Sequence, residues 1–188
     1  MKKYRYPILS AFVIFIISQG VHAAGYLGAS IGFSSTDEEG FEDDNGFRLS
    51  GGFDLNRSFS IEASYTNLGE FEADGSMLNM ISSLSGYSVS GASVEISGIE
   101  FSIVGVDKLS DKFSAYGRVG FFMWDADLNV HVSGYGSGSD NEDGSDLALG
   151  FGLMYEVSPN FKLKAGYSLY DVYDVDLHYT SVGANFGF

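Results

Sequence analysis

Cysteine is absent from the 188-residue chain. That excludes a disulfide scaffold and thiol chemistry in an exported protein. Basic residues are scarce, 10 Lys and Arg against 25 Asp and Glu for a formal net charge of -15. This balance speaks against nucleic acid as a partner, because phosphate binding needs clustered Lys and Arg. Long apolar runs are missing too. Beyond residue 23 no uninterrupted apolar segment approaches the roughly 20 residues that a membrane helix needs, so helical spans are excluded there. Proline occurs only twice, whereas glycine (25), tyrosine (12) and phenylalanine (16) are abundant.

What is present begins with a basic head, Lys2, Lys3 and Arg5, followed by an apolar core over residues 8–17 and a polar stretch ending Val21, His22, Ala23. The core is too short to cross a hydrocarbon layer of roughly 30 Å, and Val21 and Ala23 suit a signal-peptidase cut before Ala24. Residues 1–23 are therefore read as a cleaved export signal, and residues 24–188 as one domain.

Alternation dominates that domain. Residues 26–33 send Leu27, Ala29, Ile31 and Phe33 one way and Tyr26, Gly28, Ser30 and Gly32 the other. The same period of two runs through 47–55, 59–66, 98–106, 113–124, 147–157, 161–169 and 177–188. One face of each segment is apolar, the other polar or small. Eight such segments of about ten residues, separated by turn chemistry, predict an all-β fold: an eight-stranded antiparallel up-and-down transmembrane β-barrel. Closure is required because an open sheet edge in lipid leaves unpaired amides that cost several kcal/mol each.

The connections near 56, 110 and 159 are short. Those at 34–46, 69–93 and 134–146 are long, with a brief one at 171–176. The latter four hold 16 acids and no Lys or Arg, while Arg57, Lys108 and Lys112 sit in the short turns. Outer-membrane barrels have short periplasmic turns and longer outer loops, so this pattern predicts an outer-membrane location with both termini periplasmic. Outer-membrane lipid and lipopolysaccharide are then the surroundings. Met77, Met80, Ile81 and Leu84 have the spacing of a short amphipathic helix, expected to fold over the barrel mouth, with contact to a host surface or another protein as the alternative.

The stretches YLGASIGFS (26–34), GFDLNRSFSIEASYTNLG (52–69), SDKFSAYGRVGFFMW (110–124), YEVSPNFKLKAGY (155–167) and the terminal GANFGF resemble the eight-stranded transmembrane domain of the OmpA-like outer-membrane proteins, in family order. The resemblance implies that the last strand is also read by the barrel-assembly machinery, with Ser181, Gly183, Phe186 and Phe188 fitting that signal. It implies further that residues matching Glu62 and Lys164 belong to a lumenal ion-pair network associated with gating. Larger members continue into a peptidoglycan-binding domain; the match here covers the transmembrane domain, and tethering is not carried over.

Alternation places Arg48, Asp54, Glu62, Glu100, Arg118, Lys162 and Lys164 inside. A small barrel's lumen is filled by side chains, and buried charges must be paired, so mixed signs there suit a stable filling. Glu62 is expected to pair with Lys164 or Arg118. Against an enzyme, the pair His131 and Ser133 resembles the lipid A deacylases but has no orienting third residue and falls on a polar face. The acids at 37–44 and 140–146 offer oxygen ligands without the ordered spacing of a calcium loop. The reading is a monomeric, non-enzymatic barrel without cofactor or metal, in a structural or surface-interaction role in which a host or surface ligand meets the loops. A narrow gated ion pore is the alternative, and a lipid A-modifying enzyme a more distant one.

Overall fold

The computed structural model describes residues 24–173 and 175–188. The expected signal peptide, residues 1–23, lies outside the described residues. Eight strands, β1 (Gly25–Thr36), β2 (Asp44–Asp54), β3 (Phe59–Glu72), β4 (Val89–Lys108), β5 (Phe113–Val132), β6 (Gly136–Ser158), β7 (Phe161–Val172) and β8 (Val175–Gly187), form a closed barrel in sequence order. Every neighbour is antiparallel, and β1 pairs with β8 from Tyr26↔Gly187 to Thr36↔Leu177. Ala24 and Phe188, the ends of the described residues, and the tight turns after β2, β4 and β6 lie at one end, termed the terminal end. The remaining connections lie at the distal end.

The strands are longer than alternation predicts, most of all β4, β5 and β6. β4, β5 and β6 have 20, 20 and 23 residues, so most of the expected 134–146 loop is strand, paired from Phe121↔Leu147 to Val132↔Gly136. The acids expected in a loop there stand on a ladder instead. The physical cause is that polarity inverts along these strands. On β5, Val119, Phe121 and Met123 face outward and are exposed, and the same face continues with Asp125, Asp127 and Asn129. The inward face runs from Arg118 through Phe122 and Trp124 to Ala126. Below the switch the wall is apolar outside, as lipid requires; above it the wall is polar outside, as water requires.

β3 makes the same switch with a bulge. The register shifts between Asn67 and Gly69, where Gly69 takes φ 95° and its N–H donates to Asn67 Oδ1 at 2.8 Å. Only glycine adopts that backbone readily, and the one extra residue reverses the facing of the rest of the strand. Phe71 thereby turns inward, buried, while Glu70 and Glu72 are exposed. The outer polar surface is tied across strands by Asn67 to Glu95 (3.0 Å), Ser93 to Glu70 (2.6 Å) and Asn141 to Asp127 (2.8 Å).

The outward apolar band on β5 covers residues 113–123, which at the usual strand rise and tilt is about 25 Å tall. Aromatic pairs sit toward both its margins, Phe113 with Tyr155 and Phe47 with Tyr65, at ring separations of 5.0 and 5.9 Å. Inside, glycines leave room for large side chains of adjacent strands. A Cβ at Gly52, Gly98, Gly144 or Gly166 would collide with Tyr26, Phe122, Trp124 or Tyr116 respectively. The abundance of glycine thus reflects the packing of a narrow lumen.

Helix α1 (Gly75–Ser85) forms where the Met77 to Leu84 spacing predicts it, capped by Asp74, whose side chain accepts from Met77 N, and by Gly86 at φ 74°. It does not fold over the mouth. None of its residues is buried, Leu84 is 84% exposed, and its Met77 packs against Gly40 at the rim.

Candidate functional site

β2, β3, β4 and β5 each carry one charged side chain to the middle of the lumen, because Arg48, Glu62, Glu100 and Arg118 all stand on inward positions of adjacent strands. Arg48 is the hub. Its Nη2 donates to Glu62 Oε1 at 2.8 Å, and its Nη1 donates to Glu100 Oε2 at 2.5 Å and to the Tyr170 hydroxyl at 2.9 Å. Arg118 Nη2 donates to Ser168 at 2.8 Å and to Tyr170 at 3.2 Å. Its Nε lies 3.2 Å from Glu100 Oε1, close enough for ionic attraction but not aligned as a hydrogen bond. Tyr26 donates to Glu62 Oε2 at 2.9 Å. All four charged residues are at most 5% exposed. In so dry a place the ions survive only through one another, since an uncompensated buried charge costs several kcal/mol.

Glu62 therefore pairs with Arg48, not with Lys164 or Arg118 as expected. The register across β2 and β3 decides it, with Gly52 opposite Glu62 and Arg48 four residues further up the wall. Lys164 Nζ sits over the Tyr116 ring at 4.6 Å, a cation–π contact. Among the described residues it has no carboxylate within salt-bridge distance. Lys162 and Lys164 line a cavity of about 220 Å3 at the terminal end, together with Asp54, Glu62 and Asn185 and with apolar side chains such as Val104 and Met154. Asp54 itself accepts from Ser60 at 2.6 Å.

Distal to the ion pairs comes an aromatic layer that sequence reasoning did not single out. Phe122, Tyr170, Tyr179 and Leu68 are fully buried, and the Phe122 and Tyr170 rings lie 4.7 Å apart. Tyr170 joins the layers, with its hydroxyl on the two arginines and its ring against Phe122. Its signal in the sequence is a tyrosine on the inward parity of β7, directly after the band of outward apolar residues.

His131 does not pair with Ser133. Its Nδ1 is 2.8 Å from Ser137 Oγ across the β5–β6 hairpin, both exposed, while Ser133 N donates to Ser88 O at 2.9 Å. The histidine stands near the tip of β5, beyond the outward apolar residues 113–123. Outside the barrel, Tyr167 contacts His178 Nδ1 at 2.5 Å, and His178 Nε2 lies 3.2 Å from Asp37, which ties the first distal loop to the wall. Among the described residues no three His, Asp or Glu side chains converge to hold a metal ion, the acids of 37–44 and 140–146 included. Of the terminal residues, Phe186 and Phe188 are exposed on the outside, and Ser181 and Gly183 pair with Gly32 and Ser30 of β1.

A closed eight-stranded barrel with an apolar belt outside and ion pairs inside is the architecture of a small outer-membrane barrel. The chain belongs to the outer membrane protein beta-barrel domain family, whose sequence profile matches residues 8–188. Among solved structures it is similar to Ail, the attachment invasion locus protein of Yersinia pestis, in complex with the heparin analogue sucrose octasulfate, at 18% identity over 89% of this chain and 100% of that one, with a TM-score of 0.60. Neisserial surface protein A is similar at 18% identity over 90% and 100%, with a TM-score of 0.61. The N-terminal β-barrel domain of Pseudomonas aeruginosa OprF is similar at 14% identity over 87% and 97%, with a TM-score of 0.52. At such identities the likeness is one of fold. No curated protein sequence matches the chain.

Proposed function

We propose that the protein is a closed, non-conducting barrel of the outer membrane that presents acidic β-hairpins to partners outside the cell. The observation that carries this reading is the inverted upper wall: β4, β5 and β6 continue past the lipid belt with an outward face of acids and amides. A wall that changes polarity is built for water and for contact, not only for holding a barrel in lipid. The ion-pair layer and the aromatic layer then act as the plug. The distal end is outermost and the termini periplasmic, a sidedness favoured by the short turns and the basic residues at the terminal end.

Several finer assignments go with this reading. Residues 1–23 direct export and are removed. The complete β1–β8 pairing leaves no open edge, which favours a monomer. Ser181, Gly183, Phe186 and Phe188 form the strand-end pattern for the assembly machinery, with Phe186 and Phe188 accessible on the outer face. Nothing in the role calls for catalysis or a cofactor. Ail binds a polysulfated ligand, but the same chemistry does not suit this distal surface, whose segments 67–98 and 124–147 carry acids and no Lys or Arg. A partner with cationic groups does.

The test has two readouts. Cells displaying the protein should adhere to host-cell monolayers, and replacing residues 130–138 by a two-residue turn should reduce adherence to the vector level. The purified barrel should give no steady current in planar bilayers. Steady conductance that is lost on Glu62→Gln would instead establish the gated-pore reading, with the unpaired Lys164 beside Glu62 as its movable charge.

A further inference from the structure

The inversion of polarity leaves an unusual space. Above the aromatic layer the barrel interior is a cup of about 260 Å3 whose wall is formed by Phe71, Val94, Ile96, Trp124, Val172 and Leu177. A lumen in this class is polar as a rule. Here the polar lumen ends at Arg118 and Glu100, and the space that opens distally is apolar. The cup is blind, because Phe122, Tyr170, Tyr179 and Leu68 beneath it are fully buried and close its floor. Apolar surface facing water is unfavourable, so a ligand that displaces that water gains free energy.

The rim defines the ligand's charge. Glu38 and Glu142 border the opening, and among the residues lining the cup there is no Lys or Arg. The aromatic lining adds to this. The Trp124 indole is fixed by donation from its Nε1 to Asp146 at 2.8 Å, and Tyr173 meets it edge-on at a ring separation of 6.5 Å. Tyr173 is also the one described non-glycine residue with positive φ, 55°. A bulky residue in that backbone region is held there at some energetic cost, and here the turn sets its ring at the rim. Two carboxylates beside indole and phenol rings form the surroundings that stabilise an organic ammonium ion.

We infer that the distal cup is a binding site for a small cationic amphiphile, with an aryl or short alkyl body in the cup and an ammonium group at Glu38 and Glu142. An apolar cavity of about 150 Å3 holds a benzene ring, so this one takes a body of about ten non-hydrogen atoms. The site is a receptor pocket and not a route, since its floor is closed. The inference depends on the proposed sidedness only for where the ligand is met; the chemistry of the cup is independent of it.

Trp124 is the single tryptophan of the chain and so reports on its own wall. The barrel in lipid nanodiscs is titrated with 4-phenylbutylammonium, with the neutral 4-phenylbutanol and with 4-phenylbutanoate, and Trp124 fluorescence is followed. The expected result is a saturable change for the ammonium ion, at least about tenfold weaker binding of the alcohol, and none detectable for the carboxylate. Glu38→Gln combined with Glu142→Gln, both at exposed positions, should weaken the ammonium ion to the level of the alcohol while leaving the alcohol unchanged. Ala126→Phe, which fills the cup from its wall, should abolish saturation for both; its folded state is checked by heat-modifiable gel mobility. A linear, non-saturating response that is the same in these variants would mean partition into lipid and would overturn the site. Equal binding of the carboxylate would overturn its assignment to cations.

Discussion

The lower and upper halves of this barrel are built from the same strands with opposite solvents in view. In the lower half Val119 meets lipid and Arg118 meets Glu100 and Tyr170 inside. Ten residues further along the same face of β5, Asn129 is exposed to water, and inside at that level the wall is Ala126 beside Phe71 and Ile96. One backbone ladder serves both, because hydrogen bonding between strands is indifferent to what the side chains face. The lower half is an inside-out protein whose core is ionic; the upper half turns a polar face outward and lines an open cup with mostly apolar side chains. The switch falls near Met123 on β5 and at the Asn67–Gly69 bulge on β3.

This contrast can be broken at graded cost. Glu100→Ala strikes the ionic core hardest, because it leaves Arg48 and Arg118 facing one another without their shared carboxylate. Destabilisation of about 3–5 kcal/mol is expected, read from urea unfolding of the barrel refolded in micelles or bilayers. Next comes the outer face. Val119→Arg, near the middle of the belt, should cost about 2–4 kcal/mol in a bilayer, whereas Asn129→Arg on the same face should be close to neutral. Similar costs at the two positions would show that the belt extends further than the polarity switch. The smallest effect is expected at the outer polar ladder. Asn141→Ala removes the contact to Asp127 and should cost only about 0.2–1 kcal/mol, with amide exchange at the β5–β6 tip rising before the belt is affected.

Much of this architecture is legible from residues alone. Outward Ile61, Ala63 and Tyr65 against inward Glu62, Ser64 and Thr66 can be satisfied only by a strand with unlike environments on its two faces. The inward parity of Arg48, Glu62, Glu100 and Arg118 is equally readable. Their partners are not, because which base reaches Glu62 depends on register and stagger around a closed sheet. The upper strands resemble loops in the sequence for a different reason. Asp125, Asp127 and Asn129 alternate with Ala126, Leu128 and Val130 as strictly as the residues before them, but with the assignment of faces reversed, so a template of apolar-out stops too early. The bulge at Gly69 hides the same switch on β3 by changing its parity.

The sequence by itself determined that the chain is cysteine-free and acidic and carries eight alternating segments, since facing and solvent are encoded in a period of two that needs no distant partner. Only the tertiary structure decided that Arg48 is the hub of the ion pairs and that α1 lies at the rim. It also decided that the upper wall encloses a blind apolar cup beneath two carboxylates. Those features join residues far apart in the chain, and their proximity exists only once β8 has closed against β1.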